Sequence, residues 1–445
     1  GESIVIEDYS HSIDTRDIYL WDTVTGQKTD LLGGDQTRYY QYLMSPDRRL
    51  ILTYNYGLWE KYLGNSPSKP VTNESGRLWD AKTGKMLAVL PADNRAVVTA
   101  VFSPNGKYAG TINCDLNKQY SYSLWEAETS REICSAAIEE PGGKSNGVYS
   151  SPMTLNFSPD NKMVLFCTSN RRIEIRRAET GLVVTTLEIP GDEKHLFDAV
   201  FLKDGSGVIT GSTDGIRRWD LKTGEQLYHL DPGPGEDGQK KPYFSSFNLS
   251  SDDKRIVGIY ALPSQPAVHY GRLWDAQTGQ LITDLARPDN ATKTMNDAIT
   301  NAIFTPDGQK IIASFGVMLQ IGTVVKILNA NDGKKILQFD AIDEVGKLIL
   351  SPDSKRLLII ASNIGQNASL WSTDTGQQLD QFFSQEGILS AEFSQDGSRI
   401  CAGSTQGTLR IWRVFPTGQK LIDYARCVVP RQLTAEERDT FGLNT

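Results

Sequence analysis

Apolar residues along the chain fall in short alternating runs, and turn chemistry breaks the runs at regular intervals. TAVFSPNGKYAGTINC (99–114) shows the unit: apolar strand, tight turn, apolar strand. In its Ser-Pro-Asn-Gly centre, Pro presets φ, Asn bonds its own backbone, and Gly takes a positive φ without steric cost. YSLWEAETS (122–130) then reads as a third strand and a second turn, and REICSAAI (131–138) as a fourth strand. The period-2 alternation and the spacing of turn signals predict four short antiparallel strands per unit, A to D.

Two markers repeat with this unit. The first is a Trp-Asp element followed by Thr-Gly: YLWDTVTGQ (19–27), RLWDAKTGK (77–85), SLWEAETSR (123–131), EIRRAETGL (174–182), RRWDLKTGE (217–225), RLWDAQTGQ (272–280), KILNANDGK (326–334), SLWSTDTGQ (369–377) and RIWRVFPTGQ (410–419). These nine copies lie 41 to 58 residues apart, and seven of the eight tryptophans share the register; Trp59 falls outside it. The second marker is a Ser-Pro-Asp-like turn at 44–47, 102–105, 157–160, 201–204, 249–252, 304–307, 350–353 and 393–396, one in each gap. A period near 40 to 45 with a terminal Trp-Asp is the signature of a propeller blade, and longer spacings read as loop insertions. The expected fold is therefore all-β, a single propeller of eight or nine four-stranded blades with a short C-terminal helical tail. The fixed register of the Trp predicts packing between blades. The Asp reads as a turn hydrogen-bonder, since Arg177, Asn329, Ser372 and Arg413 replace it.

On these motifs the chain resembles the WD-repeat propellers, and more narrowly the bacterial kind, over nearly its whole length. The Gly-His dipeptide of eukaryotic repeats is missing, because none of His11, His195, His229 and His269 follows a Gly. The family's Asp-His-Ser-Trp network is therefore not carried over. LIDYARCVVPRQLTAEERDTFGL (421–443) is similar to the tails that follow propellers in large bacterial multidomain proteins. There the propeller is a sensor or scaffold behind a nucleotide-binding switch or a protease-like effector, and the resemblance implies the same setting here.

Both ends of the repeat leave alternatives. SIVIEDY (3–9) supplies a strand B for the first Trp-Asp element, which has no Ser-Pro-Asp turn ahead of it. Either the chain is an excised piece of a longer protein, or these strands complete a blade begun elsewhere. LIDYARCVV (421–429) suits a strand D or a helix, and in the helical case the last blade needs a strand from elsewhere. LTAEERDTFGL (433–443) reads as a capped helix, with Thr434 as N-cap and Glu437 three residues on. The expected division is a propeller over 1–423, with an incomplete first blade at 1–33 and eight units at 38–423, and a tail at 424–445.

Composition narrows the class. A net charge of −8 argues against a nucleic-acid partner. No run of eighteen apolar residues occurs, so no membrane span is expected. The N-terminus does not read as a signal peptide. Five cysteines without a C-x-x-C pair suit free thiols in a reducing, cytoplasmic compartment rather than metal ligation.

Candidate chemistry is sparse. Neither a nucleophile elbow, a phosphate loop nor an H-E-x-x-H motif is found, so no catalytic, cofactor or metal residues are assigned. The enzymatic alternative is a quinone-dependent dehydrogenase or a hydrolase with a site at the channel mouth. Quinoprotein propellers share Asp-x-x-Thr-Gly but place Trp after the Gly, and usually carry a vicinal disulfide, whereas no Cys-Cys occurs here.

The insertions fall in the B–C connections (55–75, 114–121, 261–270, 315–323, 362–368) and D–A connections (138–150, 231–243, 286–298), which share one face. That face collects aromatics. Tyr56, Trp59, Tyr62, Tyr149, Tyr243 and Tyr270 are the expected partner-binding residues, against the alternative that these rings pack the loops onto the ring. The expectation is a non-catalytic scaffold or sensor for protein partners or for upstream domains of the same polypeptide.

Overall fold

The computed structural model describes residues 3–12, 15–22, 27–31, 40–55, 76–90, 96–115, 119–138, 154–167, 171–190, 196–231, 233, 242–262, 265–286, 298–316, 323–341, 345–361, 367–382, 387–404, 409–415, 423 and 427. Its strands form nine antiparallel sheets in chain order. Sheet 1 has three strands, Ser3–Ser12, Thr15–Asp22 and Lys28–Asp30, which occupy the B, C and D places of the unit. Sheets 2 to 8 have four strands each, over 40–90, 96–137, 155–188, 196–230, 243–286, 299–341 and 345–382. Sheet 9 has three, Ile388–Phe393, Arg399–Ser404 and Leu409–Arg413, in places A, B and C.

The A strands of successive sheets pack on one another and the D strands lie outside, so the sheets fan out around an axis lined by A strands. Eight apolar clusters fill the gaps, one between each pair of successive sheets from 1–2 to 8–9. Because sheets 2 to 8 are covered on both faces, their B strands are near-continuous apolar runs, as in Lys310–Phe315 and Arg356–Ala361. Each buried Leu, Ile or Val there contributes roughly 1.5–3 kcal/mol.

The two markers have local causes. In the A–B turn the Ser45 hydroxyl donates to Asp47 Oδ1 at 2.6 Å and accepts from Leu50 N at 2.9 Å, while Arg49 N donates to the same Asp47 oxygen. The same clasp recurs around Ser158, Ser250, Thr305, Ser351 and Ser394. In the C–D turn Asp80 Oδ1 accepts from Lys82 N, Thr83 N and the Thr83 hydroxyl, and Asp220 and Asp275 repeat this. The Asp of the Trp-Asp element is thus a turn closer. The αL residue that ends this turn also touches the D strand of the preceding sheet. A Cβ on Gly279 (φ +72°) would stand 2.8 Å from the Tyr228 ring.

Trp places its ring on the preceding sheet. Trp79 packs with Leu20 and Leu31, and Trp219 with Ile173 and Ile175. The indole N–H donates to a strand-B hydroxyl of its own sheet: Trp79 to Thr53 at 2.9 Å, Trp125 to Thr111 at 3.1 Å, Trp219 to Thr210 at 2.9 Å. Sheet 4 replaces both partners. Phe166 stands at the Thr position and Arg176 at the Trp position, its guanidinium 5.2 Å from the Tyr122 ring. Tyr122 stacks on Phe166 at 4.2 Å.

Every D strand from sheet 2 to sheet 8 has a bulge opposite the Trp position. An aliphatic residue occupies the bulge and an apolar residue follows three positions later, as in Leu87 and Leu90, Val184 and Leu187, Ile336 and Phe339, or Leu379 and Phe382. The second residue of each of these pairs is buried. Of the tail, only Cys427 is described and it is helical, as is Asp423 just before it, so the helical reading of 421–429 holds at those positions. None of the five cysteines is in a disulfide.

Candidate functional site

Antiparallel order puts the A–B and C–D turns at one end of every sheet and the B–C and D–A connections at the other. The A–B end is made of closed turns that touch around the axis: Asn105 N donates to Asn161 Oδ1 at 2.8 Å, and Gly106 faces Asp47. The opposite end carries the long connections.

Tyr56, Trp59, Tyr62 and Tyr149 lie outside the described residues. Tyr243 begins strand A of sheet 6 and is half-buried. Tyr270 is a correction: it is 4 % exposed, its ring 5.6 Å from Tyr260, inside the cluster between sheets 5 and 6. The physical reason is that 261–270 is not an insertion. Strands Arg255–Leu262 and Gln265–Asp275 continue through it as a long hairpin, and alternation points Tyr270 inward. Tyr54, Tyr122 and Tyr260 are likewise buried, so these rings pack the sheets.

Sequence reasoning passed over a polar cluster here. In sheet 5, Arg217 is 3 % exposed; its Nη1 donates to Asp214 Oδ1 at 3.0 Å and to Ser212 Oγ at 2.9 Å, and its Nη2 to Asp214 Oδ2 at 2.5 Å. His229 Nε2 lies 3.2 Å from the Asp214 carbonyl. Burial and then Arg217 hold the His229 imidazole below its ordinary value, so it is neutral at pH 7. Next to it, Arg272 Nε donates to Asp284 at 2.7 Å and its guanidinium lies 5.1 Å from the Tyr260 ring. Between sheets 3 and 4 the Tyr122 hydroxyl donates to Glu174, which also binds Arg176 at 2.7 Å; burial and this bond push the phenol up. The Arg and Glu that signal these clusters all stand two residues before the Trp register, a repeat position visible in the sequence. These bonds tie strand C to its neighbours at this end. Asp198, on strand A of sheet 5, has a carboxyl raised by burial and binds Ala199 N at 2.8 Å. No metal-holding group of His, Cys, Asp or Glu occurs among the described residues, and no helix among them is long and apolar enough to cross a membrane.

A crystal structure of the eukaryotic initiation factor superposes with a TM-score of 0.62, at 13% identity, over 93% of this chain and 94% of that one. The Dos1 propeller gives 0.52 at 15% identity, over 71% of this chain and 80% of that one. Residues 376–413 match the family described as WD domain, G-beta repeat. The fold is a β-propeller. Chicken serine-threonine kinase receptor-associated protein is 28% identical over 264 residues, 56% of this chain and 65% of that protein. The human protein of that name is 25% identical over 262 residues. WD repeat-containing protein slp1 of fission yeast is 26% identical over 151 residues, 32% of this chain and 28% of slp1. The chain thus spans less than two thirds of the length of these curated relatives. They are eukaryotic, which overturns the bacterial setting expected from the resemblance.

Proposed function

We propose that this chain is a non-catalytic scaffold that binds protein partners through the end carrying the B–C and D–A connections. The observation that carries this reading is the asymmetry of the two ends. One consists of short, self-satisfied turns, and the other of longer connections on a rigid frame, where binding is usually built. Similarity to a receptor-associated WD-repeat protein supports a protein as the ligand. The bonds between Arg217 and Asp214, Arg272 and Asp284, and Tyr122 and Glu174 support a framing role for these clusters. Residues 1–423 act as one propeller unit followed by the tail 424–445, in a reducing cytoplasmic compartment suited to five cysteines without a disulfide. Tyr56, Trp59, Tyr62, Tyr149 and Tyr243 are the anchors this reading assigns.

The test is affinity capture with the intact chain and a Tyr56→Ala/Trp59→Ala variant of equal thermal stability, followed by cross-link mapping. A partner lost from the variant and cross-linked to the B–C and D–A connections is expected. Cross-links confined to the A–B and C–D turns would overturn the assignment of the face.

A further inference from the structure

The large apolar side chains that D strands expose stand singly in sheets 5, 6 and 7, as Leu227, Leu281 and Ile336, which is ordinary for a protein surface. Sheet 4 differs. Leu182 is 65% exposed, Val183 48% and Val184 44%, three in a row on the outer rim. Leu182 also breaks the repeat. The residue after the αL position is Lys85, Arg131, Glu225, Gln280, Lys334 or Gln377 in the other four-stranded sheets. A charge or amide at that place keeps one rim strand from adhering to another. In sheet 4 no charge stands between Gly181 and Glu188. Sheet 2 exposes Met86, Leu87 and Val89 behind Lys85, but its strand D, Met86–Leu90, carries no acid to meet that lysine.

The two ends of this strand carry opposite charges. Arg177 N donates to the Leu182 carbonyl at 2.9 Å, which places Arg177 beside the start of the strand, and Glu188 ends it. Both residues are exposed, and among the described residues neither has an ion-pair partner. The charges near them are engaged. Arg172, across from Glu188, lies 3.6 Å from Glu174, and Glu179 has Lys107 of sheet 3 as its near cation. We propose that Leu182–Glu188 is the contact by which a second copy of the chain docks, antiparallel, about a two-fold axis through Val184. That axis sets Val184 on its own copy, Leu182 and Val183 against Thr186 and Thr185 of the other copy, and each Glu188 beside the turn that follows Arg177. The bulge at Val184 interrupts the outer main chain, so side chains make the contact. The interface is isologous and closes at two copies. It is small and its ion pairs are exposed, so the dimer is weak and salt-sensitive. It lies on the rim and stands or falls separately from the loop-bearing end.

The test is sedimentation equilibrium of the whole chain from about 1 to about 500 µM, at about 50 mM salt. A monomer–dimer equilibrium is expected. Leu182→Gln/Val183→Gln gives sheet 4 the Gly-Gln-Gln of sheet 8 (376–378) and should weaken the dimer about tenfold or more. Arg177→Glu should weaken it about tenfold, and adding Glu188→Arg to that variant should restore it. All four residues are exposed, so the variants keep the parent's melting temperature. A chain that stays monomeric up to about 500 µM would overturn the proposal. So would a dimer indifferent to the two glutamines, or a double charge variant no tighter than Arg177→Glu alone.

Discussion

Thr210→Val removes the acceptor of the Trp219 indole while keeping the shape of the side chain. Thr210 is 0% exposed and Trp219 4%, so no water replaces the bond of 2.9 Å. A buried N–H left unsatisfied costs about 1–3 kcal/mol. Trp219→Phe strands the Thr210 hydroxyl instead and also leaves space between sheets 4 and 5, for about 2–4 kcal/mol. The double variant removes both polar groups together, so its cost falls below the sum of the singles by about 1–2 kcal/mol. Sheet 4, where Phe166 and Arg176 stand in the two places, shows that the pair is replaceable as a unit. Global melting is a poor readout. At 445 residues the unfolding entropy is about 0.9 kcal/mol per degree, so each kcal/mol moves the midpoint by about 1 °C. Amide exchange in strands Gly207–Ser212 and Gly215–Asp220 reports the local loss directly. Protection free energies that simply add in the double variant would refute the coupling and leave the Trp as a space-filler alone.

Gly205→Ala and Gly279→Ala separate backbone strain from packing. Both glycines have φ near +70°, but a Cβ at 205 meets nothing within 4 Å. Gly205→Ala should cost about 1 kcal/mol, and Gly279→Ala at least about 2 kcal/mol more, because the Tyr228 hydroxyl bond to the Ala276 carbonyl at 2.6 Å holds the ring in the way. Urea midpoints compare the two. Arg217→Leu removes the buried cation that pairs with Asp214 and should destabilise sheet 5 by about 3 kcal/mol, read by exchange in the same strands. Acid should loosen the A–B turns. The Ser394 hydroxyl, with Ser398 N–H and hydroxyl, holds Asp396 down to about 2 from 3.8. The Thr305 hydroxyl and Gln309 N–H lower Asp307. With folded values below unfolded ones, this contribution is complete above pH 4 or so and is lost as pH falls toward 2. Asp396→Asn and Asp307→Asn should flatten that part of the urea-midpoint profile.

The sequence carried the fold because both of its markers are local chemistry. Ser-Pro-Asp and Asp-x-x-Thr-Gly close their turns with hydrogen bonds inside six residues, so each copy is readable without its neighbours. The Thr that receives the indole N–H was legible but missed: Thr53, Thr111 and Thr210 each lie six residues after the turn Asp or Asn. The bulges were not legible, since they recur even in sheets 4 and 7, where Arg176 and Leu328 stand at the Trp position, and only the aliphatic residue at the bulge hints at them. Tyr270 was misplaced because a hairpin extended beyond the repeat looks like a loop insertion when judged by length. The bacterial setting came from resemblance, through the missing Gly-His dipeptide and the segment 421–443, and the eukaryotic relatives overturn it.

The central claim is that a protein partner sits on the end formed by the B–C and D–A connections. Hydrogen exchange on the chain alone and on the complex recovered from capture tests it most directly. The account predicts protection in those connections and the strand ends beside them, with the A–B and C–D turns unchanged. Protection confined to the Ser-Pro-Asp and Asp-x-x-Thr-Gly turns would contradict it.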